Sequence, residues 1–229
     1  MANSYGPKGI VTDGLVFSAD AGNAQCYTSG SATATDIVGG KTLTLENGSG
    51  AVIQPYNNSW GFDGSDDYIN CGSHSSYDLS SITINAWAYS DSLAQYKRIL
   101  QLGRNSGGIG YGIAITDSGN QLIGFWNNGS ETTKKTTSTI SATTWYHVVI
   151  TFTGSTLKIY INGIDDTGDA GAGDDTGWAS TNDNLEIARK SGGGQLWDGK
   201  IGDILIYNKV LTASEVLQNY NSQKARFGL

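Results

Sequence analysis

Residues 82–88 read Ile-Thr-Ile-Asn-Ala-Trp-Ala. Ile82, Ile84, Ala86 and Ala88 fall on one face of an extended chain, and Thr83, Asn85 and Trp87 on the other. Side chains alternate across a strand with a period of two, so this stretch predicts a strand with an apolar face. The same pattern spreads outward from it. Lys41–Leu45, Tyr111–Ile115, Gln121–Trp126, Trp145–Phe152, Leu157–Ile161, Asn184–Ala188 and Gly199–Tyr207 alternate or run apolar, and Gly14–Ser18 opens the set. Asn47-Gly48, Asp63-Gly64, Asn128-Gly129, Asn162-Gly163 and Asp198-Gly199 punctuate them as turns. Short strands separated by Asn-Gly and Asp-Gly turns, about a dozen here, make an all-β sandwich or jelly roll.

Composition agrees. The chain has 229 residues, of which 32 are Gly and only 15% are charged, whereas a helical protein would lean on Glu, Lys and Ala. That length suits one undivided sandwich with enough core to need no disulfide or metal scaffold. The net charge is −7, and the densest basic stretch is Lys134-Lys135. A nucleic-acid partner is excluded, because displacing counterions needs a basic face. No run of about 18 apolar residues occurs, so no membrane-spanning helix is expected. The start, Met-Ala-Asn-Ser-Tyr-Gly-Pro-Lys-Gly, lacks the apolar core of a signal peptide. Cys26 and Cys71 read equally well as one bridge or as two buried free thiols.

One segment departs from strand spacing. Thr212-Ala-Ser-Glu215 is a capping box, and Val216, Leu217 and Tyr220 follow at helical spacing. A short C-terminal helix is expected on the sandwich, with the tail Arg226–Leu229 either docked or frayed. The expected organisation is an N-terminal extension (1–13), a jelly-roll domain (14–211), and a helix with tail (212–229). Residues 165–183, rich in Asp, Gly and Thr, read as a long loop of the functional or mobile kind.

Several motifs then stand in a familiar order. They are Gly14–Asp20, Phe62-Asp-Gly-Ser-Asp-Asp-Tyr-Ile69, Ser81–Trp87, Trp145–Gly154 with Ile159-Tyr-Ile-Asn-Gly163, and Trp197–Thr212. In this series the chain resembles the laminin G-like and pentraxin-like branch of the concanavalin A-like lectin/glucanase superfamily. The resemblance implies a two-sheet antiparallel jelly roll, concanavalin A-like, that binds carbohydrate or protein. The opening Tyr5-Gly-Pro-Lys and the tail Gln218–Leu229 are similar to stand-alone domains of marine phage virion proteins.

Catalytic signatures are missing. Glycosidases of this superfamily carry clustered Glu and Asp residues that flank the scissile bond. The four Glu here are Glu46, Glu131, Glu186 and Glu215, and none stands near another in the sequence. His147 reads as a packed strand histidine and His74 as a surface one, so no Ser-His-Asp device is expected. Zinc-ligand spacing and a phosphate-cradling Gly loop are also lacking. Pentraxins place an acidic run after the strand matching Leu185–Ala188, where this chain has Arg189-Lys190. The pentraxin calcium mode is therefore expected to be lost. No cofactor is required. Calcium is the one candidate ion, with Asp20 and Asp203 as its candidate ligands, although Asp also serves turns through its own backbone bonds.

Sugars stack on exposed aromatic faces. Trp87 and Trp145 occupy strand positions and are expected to pack. Trp126, Trp178 and Trp197 lie near turns or in the acidic loop. With Asn127, Asp174 and Asp175 they form the candidate ligand surface. The expected function is a non-catalytic virion structural protein: a capsid decoration, knob or fibre-type module on a phage surface. Its expected partners are other virion proteins, host cell-surface glycan, and further copies of itself in a homo-oligomer. The alternative is a free carbohydrate-binding lectin or adhesion module.

Overall fold

The computed structural model describes residues 9–47, 50–52, 59–73, 75–77, 79–103, 109–116, 120–128, 131–170 and 184–229. The strands are Leu15–Ala19 (β1), Thr33–Thr35 (β2), Thr42–Glu46 (β3), Gly50–Val52 (β4), Ser59–Asp63 (β5) and Tyr68–Asn70 (β6). Then come Ile82–Ser90 (β7), Arg98–Leu102 (β8), Ile109–Ile115 (β9), Leu122–Asn128 (β10) and Glu131–Lys135 (β11). Trp145–Phe152 (β12), Leu157–Ile161 (β13), Ile164–Asp165 (β14), Leu185–Ile187 (β15) and Asp198–Tyr207 (β16) complete the set. One α-helix follows, Ala213–Gln223 (α1), with a short 3-10 turn at Lys224–Phe227.

The strands form two sheets, and every pairing between them is antiparallel. The first runs β14-β13-β12-β7-β16-β5-β4, with β1 also paired to β16. The second runs β11-β10-β9-β8-β15-β6-β3-β2. β16 is long enough to serve two neighbours along one edge. Its first half pairs with β5 and its second with β1. An irregularity between Ile201 and Ile204 separates the halves. A bulge re-aims a strand locally, and here it lets β16 turn from one partner to the next.

Ile82, Ile84, Ala86 and Ala88 point into the layer between the sheets, as their alternation predicts. Phe17, Ile69, Leu100, Ile113, Ile159 and Ile187 meet them there, all fully buried. Thr83, Asn85 and Trp87 face the other way, yet they are buried too. The helix and tail cover that face of the first sheet.

The helix begins as the sequence requires. Glu215 N–H donates to the Thr212 hydroxyl at 3.3 Å, and Thr212 N–H donates to the Glu215 carboxylate at 2.8 Å. Val216 is buried and Tyr220 stacks on Trp87, but Leu217 stays 42% exposed. A fully buried Asn219 anchors the helix. Its amide donates to Tyr207 Oη (3.0 Å) and Asn85 Oδ1 (3.3 Å), and its oxygen accepts from Val11 N–H (2.8 Å). His147 lies beside them, fully buried, with Nε2 2.7 Å from Asn85 Oδ1. Burial pushes its pKa down to about 3, so the ring is neutral. Cys26 and Cys71 are both buried free thiols, which settles the question their sequence left open. No helix among the described residues is long and apolar enough to cross a membrane.

Candidate functional site

The outer face of the second sheet carries one continuous row of residues. Thr33, Thr44, Asn70, Glu186, Gln101, Gly112, Phe125 and Thr133 stand directly opposite one another across all eight strands. Leu43, Ile69, Leu185, Leu100, Tyr111 and Trp126, on the same strands, point inward. The row is therefore the outward half of the alternation.

The row is open at one end and closed at the other. Thr33 and Thr44 are exposed and Asn70 is half-buried. Glu186, Gln101 and Phe125 are buried. At the closed end the Arg98 guanidinium sits 4.9 Å over the Phe125 ring and donates to the Gln101 amide oxygen at 3.0 Å. Gly112 makes this possible, because a Cβ there would lie 2.3 Å from the Phe125 ring. In the middle, Arg189 grips Glu186 through both its oxygens, at 3.1 and 2.6 Å. Gly192 N–H adds a third bond to that carboxylate, at 3.2 Å. The same guanidinium lies 3.4 Å over the Tyr68 ring. At the open end Asn70 Oδ1 accepts Gly72 N–H, leaving its amide N–H groups without a partner among the described residues.

This chemistry suits recognition better than cleavage. Glycoside hydrolysis needs two carboxyl groups across the scissile bond. The row holds one, Glu186, and that one is neutralised by a two-pronged guanidinium.

Of the candidate ligand surface read from the sequence, the described members Trp126, Trp197 and Asn127 are buried. Trp126 is 1% exposed and stacks between Phe152 (4.4 Å) and Tyr111 (5.6 Å). Nearness to a turn suggested exposure, but parity decides: Leu122, Gly124 and Trp126 share the inward face of β10. Asn127 faces outward but is buried. Trp197 is 1% exposed, with its indole N–H donated to the Tyr89 carbonyl. It lies in the core because β16 begins directly after it and draws it between the sheets. Trp178, Asp174 and Asp175 lie outside the described residues. Trp87 and Trp145 pack beneath the C-terminal tail rather than between the sheets.

Asp20 and Asp203, the candidate calcium ligands, are instead partners of the tail. Arg226 donates to both oxygens of Asp20, at 2.8 and 2.6 Å. Gln223 donates to Asp203 at 2.6 Å. Burial, with the nearby Asp20 charge, raises the Asp203 pKa to about 7. A guanidinium and an amide thus engage three of the four carboxylate oxygens, and Asp203 Oδ1 is buried with no hydrogen-bond partner among the described residues. Asp63, Asp66 and Asp67 do offer carboxylate oxygens within 4.8 Å of one another. Asp63 accepts Ser65 N–H at 2.8 Å and Asp67 accepts Asp63 N–H at 3.1 Å, which is the chemistry of a turn. The bond from Ser65 N–H holds the Asp63 pKa down, while burial raises that of Asp67.

A family model of laminin G type, described as the concanavalin A-like lectin/glucanases superfamily, matches residues 63–217. No curated relative matches the sequence. Among solved structures, domain 4 of AbnA is similar over 90% of this chain and 98% of its own, at 15% identity and TM-score 0.69. AbnA is an extracellular arabinanase from Geobacillus stearothermophilus, and that domain was solved in complex with arabinotriose. Trypanosoma rangeli sialidase matches over 95% of this chain and 34% of its own, at 18% identity and TM-score 0.67. This chain therefore spans about a third of the sialidase. The binding domain of Paraclostridial Mosquitocidal Protein 1 matches over 91% of this chain and 52% of its own, at 19% identity and TM-score 0.64. At these identities the likeness is one of fold.

Proposed function

The chain belongs to the concanavalin A-like lectin/glucanases superfamily, and on that premise we propose that it is a non-catalytic carbohydrate-binding module. The observation that carries this reading is the outer row of the second sheet. At its open end Thr33, Thr44 and Asn70 offer hydroxyl and amide groups side by side. Sugar hydroxyls both donate and accept, so neutral side chains of this kind match them without a fixed charge. The single carboxylate of the row is held by Arg189, which removes the acid and base that hydrolysis needs. The structural similarity to an arabinanase domain solved with arabinotriose supports a neutral oligosaccharide as the ligand class.

A glycan array with the intact chain tests the proposal, followed by titration of each hit against Asn70→Ala. Binding that weakens several-fold in the variant, with the sugar recovered uncleaved, is the expected result. Cleaved sugar, or binding indifferent to Asn70, contradicts it.

A further inference from the structure

A second recessed place lies at the far edge from the open end of the outer row, beyond Thr133, where the edges of the two sheets meet. The second sheet ends in β11, and the first ends in β14 with the turn after it. Three backbone hydrogen bonds join these edges, two of them forming the Thr136–Thr167 bridge. Thr137 N–H donates to the Asp166 carbonyl (2.9 Å), Gly168 N–H to Lys135 (2.8 Å) and Lys135 N–H to Asp169 (3.1 Å). Gly168 permits the join, since a Cβ there would lie 3.0 Å from the Lys135 carbonyl. Beside this seam opens a cleft of about 410 Å³, lined by Gln121, Lys135, Thr136, Thr137, Thr167, Gly168 and Asp169. Ligand sites typically occupy roughly 300–1,000 Å³.

The walls are fixed while several of the polar ends are unspent. Gln121 donates its amide to the Thr136 carbonyl at 2.6 Å, so its side chain is held in place. Its own oxygen accepts nothing among the described residues. Lys135 and Asp169 line the same cleft, yet neither makes an ion pair among the described residues. Lys158, by contrast, already pairs with Asp165 nearby at 2.8 Å. The lining has no aromatic ring and no large apolar side chain. An apolar ligand therefore gains nothing there. One ammonium and one carboxylate cancel, so a charged ligand gains little. What fits is a ligand that donates to Asp169 and to the Gln121 oxygen while accepting from Lys135. Vicinal hydroxyls do all three, and charge-assisted bonds make such contacts strong.

We propose that this edge cleft is a second saccharide site, taking a neutral sugar unit whose adjacent hydroxyls bridge Asp169 and Lys135. It lies at the far edge from the row's open end and does not depend on Asn70. The test is an amide-resolved NMR titration of the labelled intact chain with arabinotriose, maltotriose and mannotriose, repeated for Asp169→Ala, Lys135→Ala and Asn70→Ala. Both cleft side chains are at least partly exposed, and the spectra themselves report folding. The expected result is a saturable shift of residues 135–137 and 166–169 with at least one sugar. Losing a charge-assisted bond should weaken it about tenfold in Asp169→Ala and Lys135→Ala, with no change in Asn70→Ala. Shifts confined to the outer row, or cleft shifts that both cleft variants leave intact, overturn this proposal and leave the first standing. No shift with any of the three sugars overturns it as well.

Discussion

The Phe227 ring lies flat on Trp87, with centroids 4.2 Å apart and planes 15° from parallel. Trp145 closes on Phe227 from the side, at 4.7 Å. The contact joins the third residue from the C-terminus to the central strand β7. Cutting Phe227 back to Ala should cost about 3 kcal/mol, the usual scale for removing a buried aromatic. Denaturant unfolding reads this directly, and sugar binding at the outer row should be unaffected. An unchanged unfolding midpoint would mean that the tail is not part of the fold.

Trp126 gives a sharper contrast, because exposure and burial predict opposite outcomes. Trp126→Ala should lose about 3–5 kcal/mol of stability, as a ring stacked between Phe152 and Tyr111 requires. A surface tryptophan at a sugar site would instead lose binding and leave the unfolding curve where it was.

Asp203 should make stability fall as pH rises. Its pKa is about 7 in the fold and near 3.8 when unfolded, so the folded chain holds the extra proton between these values. The contribution is complete below about pH 4 and gone above about pH 7, on the order of 4 kcal/mol in all. Asp20 and Arg226 are the charged groups that act on it. His147 opposes this titration between about pH 4 and 6.5 and leaves the parent's profile nearly flat there, so Asp203→Asn should turn that flat stretch into a rise with pH in unfolding curves. A variant whose profile matches the parent's would refute the assignment.

His147 pulls the other way. It stays neutral to about pH 3 in the fold and titrates near 6.5 unfolded, so stability is lost as pH falls through that window. With Asp203 replaced, stability should therefore climb from acid pH toward 6.5. In His147→Gln on the same background the climb should vanish.

The parts of the fold that follow from local rules were legible in the sequence. Ile82–Ala88 gave its inner face correctly because parity needs no partner. Thr212 and Glu215 gave the helix start because a capping box is a local bond pair. The parity that places Trp126 inside is equally legible in the sequence, through Leu122 and Gly124, and it overrides nearness to Asn128-Gly129. Trp197 had no such signal, because packing rather than a strand pattern buries it. The short strands Thr33–Thr35, Gly50–Val52 and Ile164–Asp165 were missed, since two or three residues cannot show alternation. The Arg189–Glu186–Tyr68 cluster and the Gln121–Lys135–Asp169 cleft were invisible for a different reason. Each gathers residues from distant segments through sheet pairing, and no spacing announces them. Similarity to phage proteins rested on the chain ends. Of these, the described C-terminal residues Gln223, Arg226 and Phe227 serve the sandwich itself, sealing Trp87 and engaging Asp203 and Asp20.

Recognition without cleavage is the central claim, and one calorimetric titration tests it most directly. The intact chain is titrated with neutral oligosaccharides, arabinotriose among them. The account predicts heat that saturates and returns to a flat baseline after each injection for at least one sugar. A baseline that stays displaced while sugar is consumed, or no heat with any of them, would contradict it.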